Sequence, residues 1–288
     1  VRELSGKVAV VTGAASGIGR ALAVRFASEG MSLMLADVDP GGLAETATLA
    51  GDTKVLTQIT DVSDEAAVLH LADRTFGELG AVHLLCNNAG VYQGGHLWTR
   101  THEDFTWVLG VNLWGVLHGI NAFVPRMIEQ DSEGHIVNTV SVAGLLAGPH
   151  AGGYTVSKYA AFAASQALAH DLVASGSKLR VTALCPGAVR TRINRSERVR
   201  PFDLTVARSP DELESQERVD SGVARGIDPA RVADMVVAAV REERFLLLTH
   251  PEHGGNMRRQ TETLLAGGLP WLPGSGAEGV PRQASAGG

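Results

Sequence analysis

Short apolar runs and longer stretches of helical periodicity alternate along most of the chain. Residues 7–12 (KVAVVT) form a continuous β-branched run; 17–29 then place apolar side chains at Ile18, Ala21, Leu22, Val24 and Phe26, the spacing of a helix face. The pairing recurs with a strand-like run at 32–36 and a helix over 42–50, then 55–60 with 65–76, and 82–86 with 105–127. It continues with 135–140 and 154–174, with 179–185 and 229–242, and closes on a last strand-like run at 245–249. Strands this uniformly apolar need cover on both faces. Strand and helix in alternation predict parallel strands joined by right-handed crossovers. The expected architecture is therefore α/β: a single-domain, Rossmann-like doubly wound parallel sheet of about seven strands flanked by helices. Its ligands should lie beyond the carboxyl ends of the strands.

Two stretches break the rhythm. Residues 189–227 are polar, rich in arginine and long for a connection, which suits a lid over a substrate. Its Arg190, Arg192, Arg195, Arg198 and Arg200 stand near Phe202 and Leu204, a mixture that suits an anionic or an apolar ligand equally well. From Gly267 onward Gly, Pro, Ser and Ala dominate, and the chain is expected to be poorly ordered after Trp271. No linker divides the rest, so 1–266 reads as one dinucleotide-binding catalytic domain with a lid at 189–227, and 267–288 as a flexible tail.

Composition narrows the functional classes. Among 288 residues 44% are hydrophobic and 19% charged, ordinary for a globular enzyme with a sizeable core, and the formal net charge of -6 lacks the basic face that nucleic acid demands. The first residues show no leader-like pattern, and no uninterrupted apolar run reaches about eighteen residues, so neither secretion nor a membrane partner is expected. Cys86 and Cys185 each sit in an apolar strand-like run, which indicates buried thiols of a reducing, cytoplasmic setting and no metal site.

The first candidate chemistry is a glycine-rich turn. The run 7–12 leads into Gly13-Ala14-Ala15-Ser16-Gly17-Ile18-Gly19 and then a helix, where glycines allow positive φ and close approach of backbone to a diphosphate. The helix start adds unpaired N–H groups and a partial positive charge. The spacing is G-x-x-x-G-x-G, distinct from the common G-x-G-x-x-G. Asp37 ends the second strand-like run, where a carboxylate accepts hydrogen bonds from ribose hydroxyls and repels a 2'-phosphate, favouring NAD over NADP. Arg20 lies within the following helix and is expected to point away from that position.

The second candidate is a pair four residues apart, Tyr154 and Lys158, which share one face of a predicted helix. An ammonium beside a phenol favours the phenolate, and the pair is expected to draw the tyrosine pKa down from about 10 toward neutrality, as an acid/base requires. Ser141 ends the strand-like run 135–140, where its hydroxyl could bond a substrate oxygen as charge develops there. Asn112 is an amide amid Val111, Leu113 and Trp114; it serves either as a core hydrogen-bonding group or as the holder of a water linking Lys158 to solvent.

Taken in order, these motifs resemble those of a classical short-chain dehydrogenase/reductase. The similarity is carried by the turn 12–19, by Asp61-Val62, by Asn87-Asn88-Ala89-Gly90, by Asn112, Ser141, Tyr154 and Lys158, and by Pro186-Gly187, and it extends from about 4 to 250. The resemblance implies that Gly13, Ser16, Gly17, Ile18 and Gly19 hold the diphosphate and Asp37 the adenosine ribose. It implies that Asp61 and Val62 meet the adenine, and that Asn88, Ala89 and Gly90 line the ribose and nicotinamide side. Lys158 would bind the nicotinamide ribose as well as tune Tyr154, while Pro186, Gly187, Val189 and Thr191 cradle the nicotinamide end. Family habit adds a homotetramer or dimer joined through the long helices 105–127 and 154–174. Leu248-Thr249-His250 stands where many members carry a glycine-bearing turn, a departure at the terminal contacts and the substrate pocket.

The implied activity is NAD-dependent interconversion of a secondary alcohol and a ketone, with Tyr154 as acid/base. Two other readings are weaker. An epimerase or dehydratase of the extended type usually has a differently spaced turn and a larger carboxy-terminal domain, and a non-catalytic dinucleotide-binding regulator is disfavoured by intact Ser141, Tyr154 and Lys158. By loop position alone, Tyr92, His96, Trp98, Leu145, Leu146 and His150 are candidates for the substrate pocket.

Overall fold

The computed structural model describes residues 1–269. Seven strands, β1 (Val8–Thr12), β2 (Ser32–Asp37), β3 (Val55–Ile59), β4 (Leu84–Asn87), β5 (Gly134–Thr139), β6 (Leu179–Cys185) and β7 (Leu246–Leu248), form one sheet in the order β3-β2-β1-β4-β5-β6-β7. Every adjacent pair is parallel. The order reverses between β1 and β4, where Val11 stands beside Cys86, so the crevice beyond their carboxyl ends is the place for a ligand.

Alternation along each strand divides the core. On β1, Ala9 and Val11 face a layer with Leu22 and Phe26 of α1 (Gly17–Ser28) and Val232, Val236 and Val240 of α8 (Pro229–Arg241). Val10 faces the opposite layer, with Leu71 of α3 (Glu65–Leu79) and Phe123 and Met127 of α5 (Gly115–Glu129). Phe26, Phe123 and Met127 are fully buried. Each contributes roughly 1.5–3 kcal/mol by leaving water.

Local signals set several boundaries. Asp39 caps α2 (Pro40–Leu49) with Pro40 in the first turn, and Asp64 caps α3. The helix expected over 105–127 begins earlier, as α4 (His102–Leu109), because Thr101 and Asp104 form a capping box. It passes through a π-helical segment, Gly110–Trp114, before becoming α5. Length and composition alone would let His102–Glu129 cross a membrane, but most of it is packed inside the fold. α6 (Gly152–Ala174) begins two residues before Tyr154.

Among the described residues, two α-helices stand where no helix was expected. The stretch 189–227 contains α7 (Pro210–Ala224), and the chain after β7 forms α9 (His253–Leu265). The ends of the lid excursion are joined, Val189 bridging to Ile227 with Arg190 N–H donating to Ile227 O at 2.9 Å. The expected disorder after Trp271 lies outside the described residues.

β5 also carries a buried histidine. Thr182 Oγ1 donates its one hydrogen to Arg244 O at 2.6 Å, so His135 Nε2, 2.7 Å from Thr182 Oγ1, must be the donor in that pair. Nδ1 has no partner among the described residues, and burial, with Arg180 nearby, lowers the imidazole pKa to about 3. The unfolded chain takes up this proton below about 6.5 while the native state refuses it until about 3. Stability from His135 is therefore present above 6.5 and lost as pH falls through that window, at up to about 1.4 kcal/mol per pH unit. Chemical denaturation across this range should show a shallower slope for His135→Gln than for the parent chain; equal slopes would refute the assignment.

Candidate active site

A cavity of about 970 Å³ opens at the β1/β4 crossing point and runs to the lid. At one end lies the glycine turn. Gly13 and Gly17 adopt φ of 67° and 53°, and a Cβ at Gly13 would stand 2.7 Å from Ala89 Cα. α1 has no acidic residue in its first turn and the Ser16 side chain makes no cap bond, which leaves its amino-terminal N–H groups for an anion. These features fit a dinucleotide diphosphate. Gly19 does not line the cavity. A Cβ there would come 2.0 Å from Gly13 O, so this glycine lets the turn close on itself.

Thr12 and Asn88 lock the turn to the sheet. Thr12 Oγ1 accepts from Asn88 N–H (2.9 Å) and Ala89 N–H (3.1 Å), while Asn88 Nδ2 donates to Thr12 O (3.0 Å) and its Oδ1 accepts from Thr139 Oγ1 (3.2 Å). Asp37, at the end of β2, accepts from Ala15 N–H at 2.9 Å and Asp39 N–H at 3.1 Å, and faces the cavity. Arg20 is turned away onto Glu45, Thr46 and Ala15 O, so it brings no cation to a 2'-phosphate. Asp61 is held by Ser63 N–H and Oγ; with Val62 it lines the same cavity, as do Ser16, Ile18, Ala89, Gly90, Pro186, Gly187, Val189 and Thr191.

Thr249 and His250 replace the expected glycine-bearing turn with a brace. Gly187 N–H donates to Thr249 Oγ1 at 3.0 Å, and the His250 ring fills the space that a Cβ on Gly187 would need.

Ser141, Tyr154 and Lys158 meet midway along the cavity. Ser141 has φ 138°, an unusual backbone for a serine, and strain of this kind collects at functional positions. Its Oγ accepts from Ala143 N–H at 3.1 Å. Lys158 Nζ lies 5.7 Å from the centroid of the Tyr154 ring and donates to Thr139 O at 2.9 Å. Burial lowers its pKa to about 8.

The phenol departs from expectation. Tyr154 is pushed up to about 12, by burial first, with Ser141 acting in the opposite direction and the neighbouring Tyr92 adding to the rise. Desolvation of the phenol therefore outweighs the neighbouring ammonium, whose Nζ is turned onto Thr139 O.

Asn112 does not line the cavity. Its Oδ1 accepts from Val91 N–H at 2.8 Å, and its Nδ2 donates to Val91 O at 2.9 Å and Ser157 Oγ at 3.0 Å. Those are the bonds of a core amide, and they tie the loop after β4 to the helix bearing Tyr154. The π-helical segment turns Asn112 inward to make them.

The substrate end was the least legible part. Of the six loop residues expected there only Tyr92 lines the cavity. His96 stacks on the exposed Trp98 at 4.5 Å and meets His150 on the outer side, while Leu145 and Leu146 are buried beneath β6. The walls are instead Phe105, Leu109, Val199, Leu204, Val219 and Val223. The lid arginines divide: Arg190 pairs with Asp228, Arg200 is buried on Asp104 over Trp107, and Arg192 and Arg198 reach the cavity. Phe202 is exposed to solvent.

Comparison with known proteins gives a consistent result. The family model described as short chain dehydrogenase matches residues 7–201. The chain is 30% identical over 277 residues to a CLA biosynthesis dehydrogenase/reductase of Lactiplantibacillus plantarum, covering 94% of this chain and 97% of that one. It is 40% identical over 199 residues to the 1-deoxy-11-beta-hydroxypentalenate dehydrogenase of Streptomyces avermitilis, covering 67% and 72%. A crystal structure of a short chain dehydrogenase/reductase from Burkholderia phymatum in complex with NAD superposes with TM-score 0.92 at 44% identity, covering 95% and 99%.

In ultraviolet difference titration the ligand-free protein should form no tyrosinate near neutrality. A tyrosine ionising there that Tyr154→Phe removes would restore the acidified phenol.

Proposed function

The chain belongs to the short-chain dehydrogenase family, and on that premise we propose that it interconverts a secondary alcohol and a ketone by hydride transfer with NAD, using Tyr154 as acid/base. The observation that carries this reading is the convergence of Ser141, Tyr154 and Lys158 on one cavity whose far end is the glycine turn and Asp37. NAD, when bound, supplies the acceptor or donor of the hydride. Gly13, Ser16, Gly17 and Ile18 would hold its diphosphate, Asp37 the adenosine ribose, Asp61 and Val62 the adenine, and Asn88, Ala89, Gly90, Pro186, Gly187, Val189 and Thr191 the nicotinamide half.

Tyr154 Oη takes the hydroxyl proton of the alcohol in oxidation and returns it to the ketone oxygen in reduction. Ser141 Oγ bonds the same oxygen and steadies the charge that develops there. Lys158 keeps a cation beneath the phenol, which favours the phenolate whenever it forms, and its lowered pKa lets it exchange a proton near neutrality.

The substrate is read as a bulky, largely apolar hydroxy compound, from the aliphatic and aromatic walls beside Tyr92. The Streptomyces relative is named for a hydroxypentalenate, a hydroxyl-bearing substrate. Ile128 on α5 and Val156, Tyr159 and Val173 on α6 expose apolar side chains, which supports assembly of copies through these helices. The two buried, unpaired thiols suit a cytoplasmic setting.

Tyr154→Phe should lower kcat by about 10²–10⁴-fold on a responsive alcohol while the NADH dissociation constant, read by fluorescence, stays within about twofold. Wild-type turnover in that variant would sink the assignment. Asp37→Asn keeps an acceptor for Ala15 N–H but removes the charge. The ratio of kcat/KM for NAD over NADP should fall by at least about tenfold, the scale of removing like-charge repulsion. An unchanged ratio would mean that Asp37 does not choose the cofactor.

A further inference from the structure

Tyr92 leaves the loop after β4 and packs its ring on Tyr154, with centroids 5.0 Å apart and planes tilted by 54°. Its Oη lies 2.7 Å from Ser215 Oγ of α7, and Ser215 Oγ lies 2.5 Å from His150 O, just before the start of α6. A carbonyl only accepts, and a serine hydroxyl has one hydrogen to give. Ser215 therefore donates to His150 O, and Tyr92 must donate to Ser215. The order of protons is fixed: Tyr92 to Ser215 to the His150 carbonyl. Tyr92 points its proton away from the substrate, so the second phenol in the cavity is no rival acid.

Two further observations show that this arrangement is built in. Gly94 makes room for it, since a Cβ there would stand 2.1 Å from Ser215 Oγ and 2.9 Å from Tyr92 Oη at a φ that any residue adopts. The same loop is held by the lid at a second point, where Tyr92 N–H donates to Ser196 Oγ at 2.8 Å. Ser196 and Ser215 are both buried.

We propose that Tyr92 is a positioning residue for Tyr154: through Ser215 the lid helix holds the Tyr92 ring against the catalytic phenol and fixes the start of the helix that carries it. Docking of the lid and alignment of Tyr154 are then one event, and the lid controls turnover as well as access. This rests on the role given above to Tyr154.

The test uses Tyr92→Phe, which keeps the ring, Ser215→Ala, and the two combined, in the full chain. Three quantities are measured: kcat and KM on a responsive alcohol at saturating NAD, the NADH dissociation constant, and amide hydrogen exchange in α7. Each single variant should lose about fivefold to tenfold in kcat, the scale of one buried hydrogen bond, with NADH affinity unchanged. The double variant should lose no more than the worse single one, because both remove the same bond. Exchange in α7 should quicken in all three, and further where Ser215 is replaced, because that change also removes the bond to the His150 carbonyl. Gly94→Ala, which displaces Ser215 by crowding, should reproduce the loss of kcat. Multiplying losses in the double variant, or wild-type kcat in both singles, would overturn the proposal. The exchange readout is independent of the chemistry of Tyr154. Quickened exchange in the serine and tyrosine variants, together with full activity of Tyr154→Phe, would trace failure to the catalytic assignment and leave the lid contact standing.

Discussion

A buried ammonium governs the centre of this molecule. Lys158 is 3% exposed, and its Nζ donates to the Thr139 carbonyl at the end of β5. An ammonium removed from water is costly unless it is paired or hydrogen-bonded, and this one shows the cost in a pKa lowered to about 8. To bring Nζ to that carbonyl, α6 must dock closely over the ends of β5 and β6. Gly144 permits the approach, since a Cβ there would lie 2.5 Å from Lys158 O, and Gly90 leaves space beside Nζ. Once α6 is placed by its lysine, Tyr154 one turn earlier has little freedom, and Ser141 reaches the same space from the strand end.

The sheet order makes this placement useful. β1 and β4 separate at their carboxyl ends, so the glycine turn and the Asn88 loop form two sides of one crevice with β5 and α6 as the continuation. Thr12 and Asn88 carry the hydrogen bonds across that gap. A diphosphate at the start of α1 and a carbonyl carbon near Ser141 and Tyr154 are thereby fixed relative to one another by strands, whose register leaves no slack.

Much of this was legible in the chain because the signals are local and strong. Most of the strands are apolar runs, β3 (VLTQI) and β5 (GHIVNT) being more mixed, and the turn 13–19, Asp37, Ser141 and the Tyr154–Lys158 spacing sit at strand ends or helix starts. What escaped had physical reasons. α7 and α9 are polar helices with little buried surface, so periodicity of apolar residues could not reveal them, although Ser209-Pro210-Asp211-Glu212 is a helix start in form. The π-helical segment is a one-residue change of phase that turns Asn112 inward, and composition does not encode it. The acidity expected of Tyr154 came from a neighbour rule that counts charge and ignores burial. His96, Trp98 and His150 were placed in the pocket by loop position, whereas the bridge from Gly95 to Ala151 holds that loop in a conformation in which the three rings pack on one another and none lines the cavity.

The lid explains why so many arginines occupy a stretch with few apolar anchors. Arg100 is buried between Asp104, Asp211 and Glu212, and Arg200 between Asp104 and Glu197, so the amino-terminal end of α7 is bound to the start of α4 by paired charges. Replacing such a network by apolar side chains is often neutral, but breaking one partner out of it costs about 3–5 kcal/mol, because the remaining charge stays buried. A network of that kind therefore specifies position more than it adds stability. It acts at only one end of α7. Toward the other end the ties are polar bonds to Asn194, whose O accepts from Gln216 and whose Nδ2 donates to Asp220, and there Arg218, Val219, Gly222 and Val223 face the cavity. Ser215 stands between the two regimes, at the last buried contact before the helix turns to the substrate side. Ser215 is therefore where the charge-fixed end of α7 is coupled to Tyr92, and the more exposed half of the helix reaches the cavity beyond it.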